Sequence, residues 1–339
     1  MSAGEGLLPT QRALATPELA AVLAPLGQVR SHRLLSGGTF SAVQAVRLKS
    51  GDEVVVKTSV PESLDHRGRS RLLTYEHHML PAERDHLARI EGLDGVPAPR
   101  VLLDDFTRAH VDVDVLVMTL VPGVPWDGVT DEMTPDANAR AFEGVGEILA
   151  RLATVRGRRF GFPADDYRLA ADTWPAFMRL LIVATVSDAD AWDVDVQPER
   201  LVAALDAAGE ALAEVDEPRL VHADLWHGNV LVDPATGDVR GVVDFERSLF
   251  GDPLWGLAGG ETHDSGPFEP AKVRGYERAT GAPLGLDSGA LKRIALYRLW
   301  SMAVQLVEIE PRGFSGEWLA SHRASIRENR DRLSAILGV

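Results

Sequence analysis

The 339-residue sequence contains no cysteine. That excludes a disulfide framework and thiolate chemistry. It also has no long hydrophobic run. The longest strongly apolar stretch lies near Leu180 to Val186, far short of the ~20 residues a membrane helix needs. The N-terminus lacks a basic region followed by an apolar core, so no signal peptide is evident and a cytoplasmic location is expected. Internal repeats and long low-complexity tracts are absent. Cations are in the minority: 35 Lys and Arg stand against 50 Asp and Glu, a net charge of −15. Nucleic acid and anionic membranes are poor partners for such a chain, whereas a cationic ligand would be drawn in. What remains is a globular composition, 45% hydrophobic and 25% charged, in a length that suits two lobes better than one compact domain.

The most informative stretch is 219–255. Leu220 and Val221 read as a short strand feeding a loop, and Val230 to Val232 as a second strand. The run from Asp233 to Asp238 has turn chemistry, and Val239 to Val243 read as the returning strand with Asp244 at its end. Such a hairpin brings Asn229 close to Asp244. The residue types suit metal-assisted phosphoryl transfer to a hydroxyl, which needs alignment and charge neutralisation more than covalent help. Asp224 fits a carboxylate that orients the hydroxyl and takes its proton. Asn229 and Asp244 offer the oxygen ligands that Mg2+ prefers. His222 suits a bracing role through hydrogen bonds. His222, Asp224 and His227 could instead ligate a hydrolytic metal, but no second histidine cluster follows them.

The order His-x-Asp-x-x-x-x-Asn followed by Asp-Phe resembles the catalytic and metal-binding segments of eukaryotic-like kinases. Protein kinases carry H-R-D-L-x-x-x-N and D-F-G; here Ala223 replaces the Arg and Glu246 the Gly. The shorter His-x-Asp form, with Gly-Asn-Val-Leu at 228–231 and Gly-Asp-Pro at 251–253, resembles the aminoglycoside phosphotransferase family of small-molecule kinases. Asp-Leu-Trp-x-Gly-Asn is similar to the loop of their relatives, the fructosamine kinases. The resemblance implies a two-lobed α+β, protein-kinase-like fold. A small antiparallel-sheet lobe would span 1–120 and a larger, mainly helical lobe 121–339, with ATP or GTP in the cleft between them. Relatives commonly carry an acidic residue around 255 or 256, where this chain has Trp255 and Gly256.

Other segments gain meaning from that resemblance. Gly37, Gly38 and Thr39 lie between strand-like flanks and could cradle phosphates through backbone N–H groups, although an ordinary hairpin turn would look the same. Lys57 ends the apolar run Val54 to Val56 and matches the strand lysine that holds the α- and β-phosphates. Residues 70–91 read as helical and offer Glu83 as its acidic partner, with Glu76 as the alternative. The two are seven apart and so share a helical face. Val113 to Val121 read as the strand and hinge, which would put Met118 and Leu120 at the purine edge. Asp188, Asp190, Asp193 and Asp195 around Trp192 suggest an acidic, aromatic lip for a cationic substrate or a solvated loop. Glu261, Asp264, Glu308 and Glu310 are candidate acceptor contacts, and Trp226 and His227 either face the acceptor or pack the loop.

The expected activity is transfer of a γ-phosphate to a hydroxyl of an antibiotic or similar polyhydroxylated metabolite, conferring resistance or self-protection. A sugar or fructosamine kinase is the alternative within the fold. A nucleotide-binding regulator without catalysis is the alternative outside it.

Overall fold

A computed structural model of the chain describes residues 7, 8, 10–35, 38, 40–163, 169–260 and 265–339. After helix α1 (Thr16–Val22) come β1 (Val29–Leu34), β2 (Ala42–Leu48) and β3 (Glu53–Thr58), then helix α2 (Met79–Ile90), β4 (Val101–Asp105) and β5 (Val115–Thr119). The five strands form one antiparallel sheet in the order β1-β2-β3-β5-β4. Its two faces follow from the period of two along a strand. Val54, Val56, Val115 and Val117 pack outward under α1, with Leu19, Val22 and Leu23. Val55, Leu116 and Met118 face the other way, into the main core. Lys57 shares the parity of Val55, so the alternation that buries the valines also turns its ammonium to the inner face.

The helical part begins after β6 (Val124–Pro125) with α3 (Pro135–Leu152), then β7 (Phe160–Gly161), β8 (Ala170–Ala171), α4 (Trp174–Ala191), α5 (Pro198–Ala207) and α6 (Gly209–Leu212). The strands β9 (Arg219–Val221), β10 (Val230–Val232), β11 (Val239–Val242) and β12 (Leu249–Gly251) follow. The chain ends in α7 (Pro253–Gly259), α8 (Pro270–Thr280), α9 (Ser288–Val307), α10 (Ile309–Arg312) and α11 (Trp318–Leu337). Where α3 crosses α8 the backbones nearly touch. A methyl on Gly146 would lie 2.0 Å from the Lys272 carbonyl oxygen, and one on Gly275 would lie 1.9 Å from that of Glu143. Among the described residues no helix is long and apolar enough to cross a membrane.

The structure departs from the sequence reading at residues 70–91. Only Met79–Ile90 is α-helix, preceded by a 3₁₀ turn at Thr74–Glu76. The chain from 61 to 73 is instead a strap that leaves the sheet and lies on the helical part. Asp65 turns it by accepting the backbone N–H groups of Arg67 and Arg69, Thr74 donates to Asp188, and Arg71 donates to the Pro311 carbonyl at 3.0 Å. Glu76 is buried in an ion pair with Arg312. A helix would have carried these groups away from partners that sequence alone does not reveal.

The region around Trp192 also differs. Asp188 and Asp190 belong to α4, which runs on to Ala191. Trp192 is buried, with the Arg69 guanidinium 4.0 Å above its ring. Asp193 faces Arg67 and Arg69 at 3.4 and 3.6 Å. Of the four acids of the expected lip, Asp193 is thus met by the chain's own arginines, while Asp188 accepts from Thr74 and Asp195 from the Gln197 N–H.

Candidate active site

Lys57 is 4% exposed and meets three carboxylates. Its Nζ lies 2.7 Å from Glu83, 2.5 Å from Asp244 and 2.9 Å from Glu246. Each arrives on a different element. Glu83 projects from the buried face of α2, alongside Met79, His86, Leu87 and Ile90. Asp244 follows β11, and Glu246 sits in the 3₁₀ turn Phe245–Arg247. The other Glu83 oxygen accepts the Phe245 N–H at 3.0 Å, which ties α2 to that turn. Ser41, just beyond the glycine-containing loop, donates to Glu246 at 2.7 Å. Of the two acids weighed in the sequence, Glu83 meets Lys57 and Glu76 turns to Arg312.

The electrostatics are lopsided. Burial alone would depress the Lys57 ammonium, but Asp244, Glu246 and Glu83 override it and hold it well above its ordinary range. Burial pushes Glu83 up to about 7 despite the lysine. It also raises Glu246, with the adjacent Asp244 charge adding to the effect. Asp244 feels the same burial, yet Lys57 outweighs it and the carboxyl ends below its usual value. Three carboxylates against one ammonium leave a deficit of positive charge in a buried place. Glu83, Asp244 and Glu246 bring oxygens within 4.8 Å of one another, and Asp244 is 29% exposed toward solvent. An all-oxygen donor set of this kind fits a hard divalent ion such as Mg2+.

The catalytic-type loop lies beside this cluster. Strand β10 pairs with β11, Val230 opposite Val242, and Val243 donates to the Asn229 carbonyl at 3.0 Å. Asn229 therefore sits across from the residue preceding Asp244. Its side-chain N–H donates to the Asp224 carbonyl at 2.8 Å, which leaves its amide oxygen for another partner. His222 is fully buried, and burial lowers its pKa to about 4. It is neutral near pH 7, and because a carbonyl can only accept, its Nε2 donates to Val243 O at 3.0 Å. Ala223 and Asp244 both hold left-handed φ angles, +62° and +69°. For non-glycine residues that costs of order 1–3 kcal/mol, and it turns Asp224 and Asp244 out of their strands.

Burial pushes the Asp224 carboxyl up to about 7. The Arg247 guanidinium opposes the shift, and the charges of Asp244, Glu308 and Glu246 add to it. A partly buried carboxyl in that range is matched to accepting a proton near neutrality. Arg247 is held by Glu308 at 2.8 Å, and Glu308 also accepts from Tyr75 at 2.9 Å. Glu308 is thus a member of a buried network under the strap, and Glu310 faces Arg323 at 3.6 Å. Glu308 is therefore not open as an acceptor contact, whereas Glu310 is exposed.

His227 stacks on Trp126, ring centroids 3.9 Å apart, and meets the edge of Phe142. It packs the loop. His222, Asp224 and His227 do not converge as a metal-binding group among the described residues, so the hydrolytic arrangement is not formed. Met118 is buried in the inner core and Leu120, just past β5, is 36% exposed. Gly38 is exposed; Gly37, Thr39, Glu261 and Asp264 lie outside the described residues.

Sequence reading missed several supports. Arg247 and Glu308 are 61 residues apart, with no local pattern to join them. Gly259 and Gly260 let α7 press on the loop: added methyls would lie 2.4 Å from Ala223 O and 2.2 Å from Leu225 O. Trp255 stacks flat on Tyr297 at 4.9 Å, and Tyr297 donates to Asp252 at 2.7 Å. This aromatic stack takes the place where relatives commonly carry an acid.

The chain matches the model of the Phosphotransferase enzyme family over residues 33–290. Among solved structures it is similar to aminoglycoside phosphotransferase APH(4)-Ia in ternary complex with AMP-PNP and hygromycin B. That match has 18% identity and a TM-score of 0.58, covering 94% of this chain and 96% of the other. It is also similar to a protein assigned as a fructosamine-3-kinase from Thermobifida fusca YX-ER1, at 20% identity and a TM-score of 0.63, over 94% and 98% of the two chains. A third match, assigned as an aminoglycoside phosphotransferase from Ralstonia eutropha JMP134, has 16% identity and a TM-score of 0.64, over 96% and 97%. At these identities the likeness establishes a kinase-like two-lobed α+β fold.

Proposed function

Because the chain belongs to the phosphotransferase enzyme family, we propose that it moves the γ-phosphate of ATP or GTP to a hydroxyl of a small molecule in the cytoplasm. The observation that carries this reading is the junction of the two lobes. Lys57 is gripped there by Glu83 and Asp244, next to an Asp224 whose carboxyl is raised to about 7. In this reading Asp224 orients the acceptor hydroxyl and takes its proton. His222 holds the loop by its bond to Val243 O. Lys57 binds phosphate oxygens, and Glu83 positions Lys57. Gly37, Gly38 and Thr39 cover the phosphates, while the backbone near Met118 and Leu120 meets the purine. Asn229 and Asp244 hold Mg2+, and Glu246 is a third oxygen donor within reach. When bound, the ion neutralises charge on the phosphate oxygens.

The acceptor we favour is an antibiotic or similar polyhydroxylated metabolite, which makes the enzyme one of resistance or self-protection. The net charge of −15 favours a cationic one. A sugar or fructosamine kinase is the second reading, supported by the Asp-Leu-Trp-x-Gly-Asn loop at 224–229. Acceptor-dependent release of ADP or GDP tests the proposal. With Mg2+, one or more members of a panel of aminoglycosides, other hydroxylated antibiotics, sugars and a fructosamine should accelerate release. Nucleotide binding without acceleration by any of them would favour a regulator that has lost catalysis.

A further inference from the structure

A second cavity, of about 770 Å³, lies between the tip of the strap, the connection from α4 to α5, and helices α10 and α11. None of the residues lining it comes from the loop at 222–229 or from the turn at 244–247. Its charge runs against the rest of the molecule. Five arginines and three carboxylates face it, in a chain whose net charge is −15.

The carboxylates are spoken for. Asp193 meets Arg67 and Arg69, Glu310 meets Arg323, and Asp195 accepts the Gln197 N–H at 2.8 Å. Three of the arginines, Arg67, Arg69 and Arg323, are taken up in those pairs; Arg327 and Arg330 are not. Arg323, Arg327 and Arg330 recur at spacings of four and three, so α11 stacks them on one face, where like charges repel. Arg330 is only 9% exposed, and its Nε has no hydrogen-bond partner. Burial depresses this guanidinium and the charges of Arg200 and Arg327 add to the effect, against the opposing carboxylates of Asp331 and Asp195. A buried donor left unmet is costly, and a planar donor fork matches carboxylate or phosphate oxygens. On the same wall, Gln197 Oε1 is buried without a donor. The cavity thus offers an unmet donor beside an unmet acceptor. Its volume exceeds what one inorganic ion fills and falls in the range of small-molecule sites.

We propose that this cavity binds a small organic anion that also carries a hydroxyl, either a phosphate ester or a hydroxy acid. Its phosphate or carboxylate pairs with Arg330 and Arg327, and its hydroxyl donates to Gln197. The site stands apart from the cleft and does not depend on the phosphotransfer reading.

Calorimetric titration of the full chain tests it, with and without Mg2+ and a non-hydrolysable ATP analogue. The probes are glucose 6-phosphate, citrate, inorganic phosphate and glucose. Glucose 6-phosphate or citrate should bind in both conditions, and whichever binds more tightly separates ester from hydroxy acid. Glucose should not bind, and inorganic phosphate should bind more weakly than the better organic anion. Arg327→Gln, a substitution at an exposed residue, should weaken binding about tenfold, and Arg330→Gln should weaken it at least as much. Should Arg330→Gln fail to fold, Arg327→Gln decides alone. Silence from both organic anions up to about 10 mM, displacement by the nucleotide analogue, binding of inorganic phosphate alone, or indifference to Arg327→Gln would each overturn the assignment.

Discussion

Asp224→Asn should lower phosphate transfer by about 10²–10⁴-fold, the usual worth of a general base, while nucleotide binding stays within about twofold. The amide keeps the size of the carboxyl and cannot take a proton. Asp224 makes no contact with Lys57, whose carboxylate partners are Glu83, Asp244 and Glu246, so the phosphate-binding end should be undisturbed. The pH dependence carries the same signature. Because burial raises the Asp224 carboxyl to about 7, the active, ionised form is the minority below that pH. The free enzyme's kcat/KM should therefore climb about tenfold per pH unit on the acid side and level off above about 7. A flat profile between about pH 5 and pH 8, or near-normal turnover by Asp224→Asn, would remove Asp224 from the base role.

Lys57→Met should have two effects that can be read separately. Turnover should fall by about 10²–10³-fold if, as proposed, Lys57 is one of the charges that face the phosphates. Stability should also fall, by about 3–5 kcal/mol at neutral pH, the usual result of removing one partner from a buried ion pair. Here the ammonium is 4% exposed and serves three carboxylates. Without it, Glu83, Asp244 and Glu246 repel one another and their pKa values rise. Native carboxylates with pKa values above those of the unfolded chain bind more protons than the unfolded chain does, so stability then decreases as pH increases. Glu83, already raised to about 7 with the lysine present, contributes in that direction in the wild type between its unfolded value and about 7. The variant should extend the window upward. Urea unfolding should show stability dropping more from about pH 6 to about pH 8 in Lys57→Met than in the wild type. Equal slopes would mean that the lysine does not govern the cluster.

These expectations rest on an arrangement that was only partly legible in the sequence. The loop 222–229 and the hairpin leading to Asp244 could be read because their residue types, order and turn chemistry are local. Lys57 could be singled out because it ends an apolar run and matches the family's strand lysine, but its face could not be read, since Val54 to Val56 are apolar on both sides of the strand. Glu83 could be preferred over Glu76 but not fixed, since seven residues bring a helix back to nearly the same face. The choice was made by Arg312, 236 residues from Glu76 and invisible to any local pattern. The segment 70–78 reads as helix in the sequence and is not α-helical, for a related reason. The chain before Met79 is held by a tight turn at Asp65, by Arg71 reaching the Pro311 carbonyl and by Thr74 donating to Asp188. The acidic residues around Trp192 suggested a lip for cations because the arginines that meet one of them, Asp193, lie far off in sequence at 67 and 69. Trp255 broke a familiar pattern, and only the fold reveals the Tyr297 ring against which it stacks.

The most direct test of the account is the mass of the acceptor itself. The protein is incubated with Mg2+, ATP or GTP and the acceptor that most accelerates nucleotide turnover, and the small molecule is then weighed by mass spectrometry. The account predicts a gain of one phosphate on that acceptor with the wild type and an unchanged mass with Asp224→Asn. Nucleotide consumed with no phosphate on any acceptor, or equal phosphorylation by the Asp224→Asn protein, would contradict it.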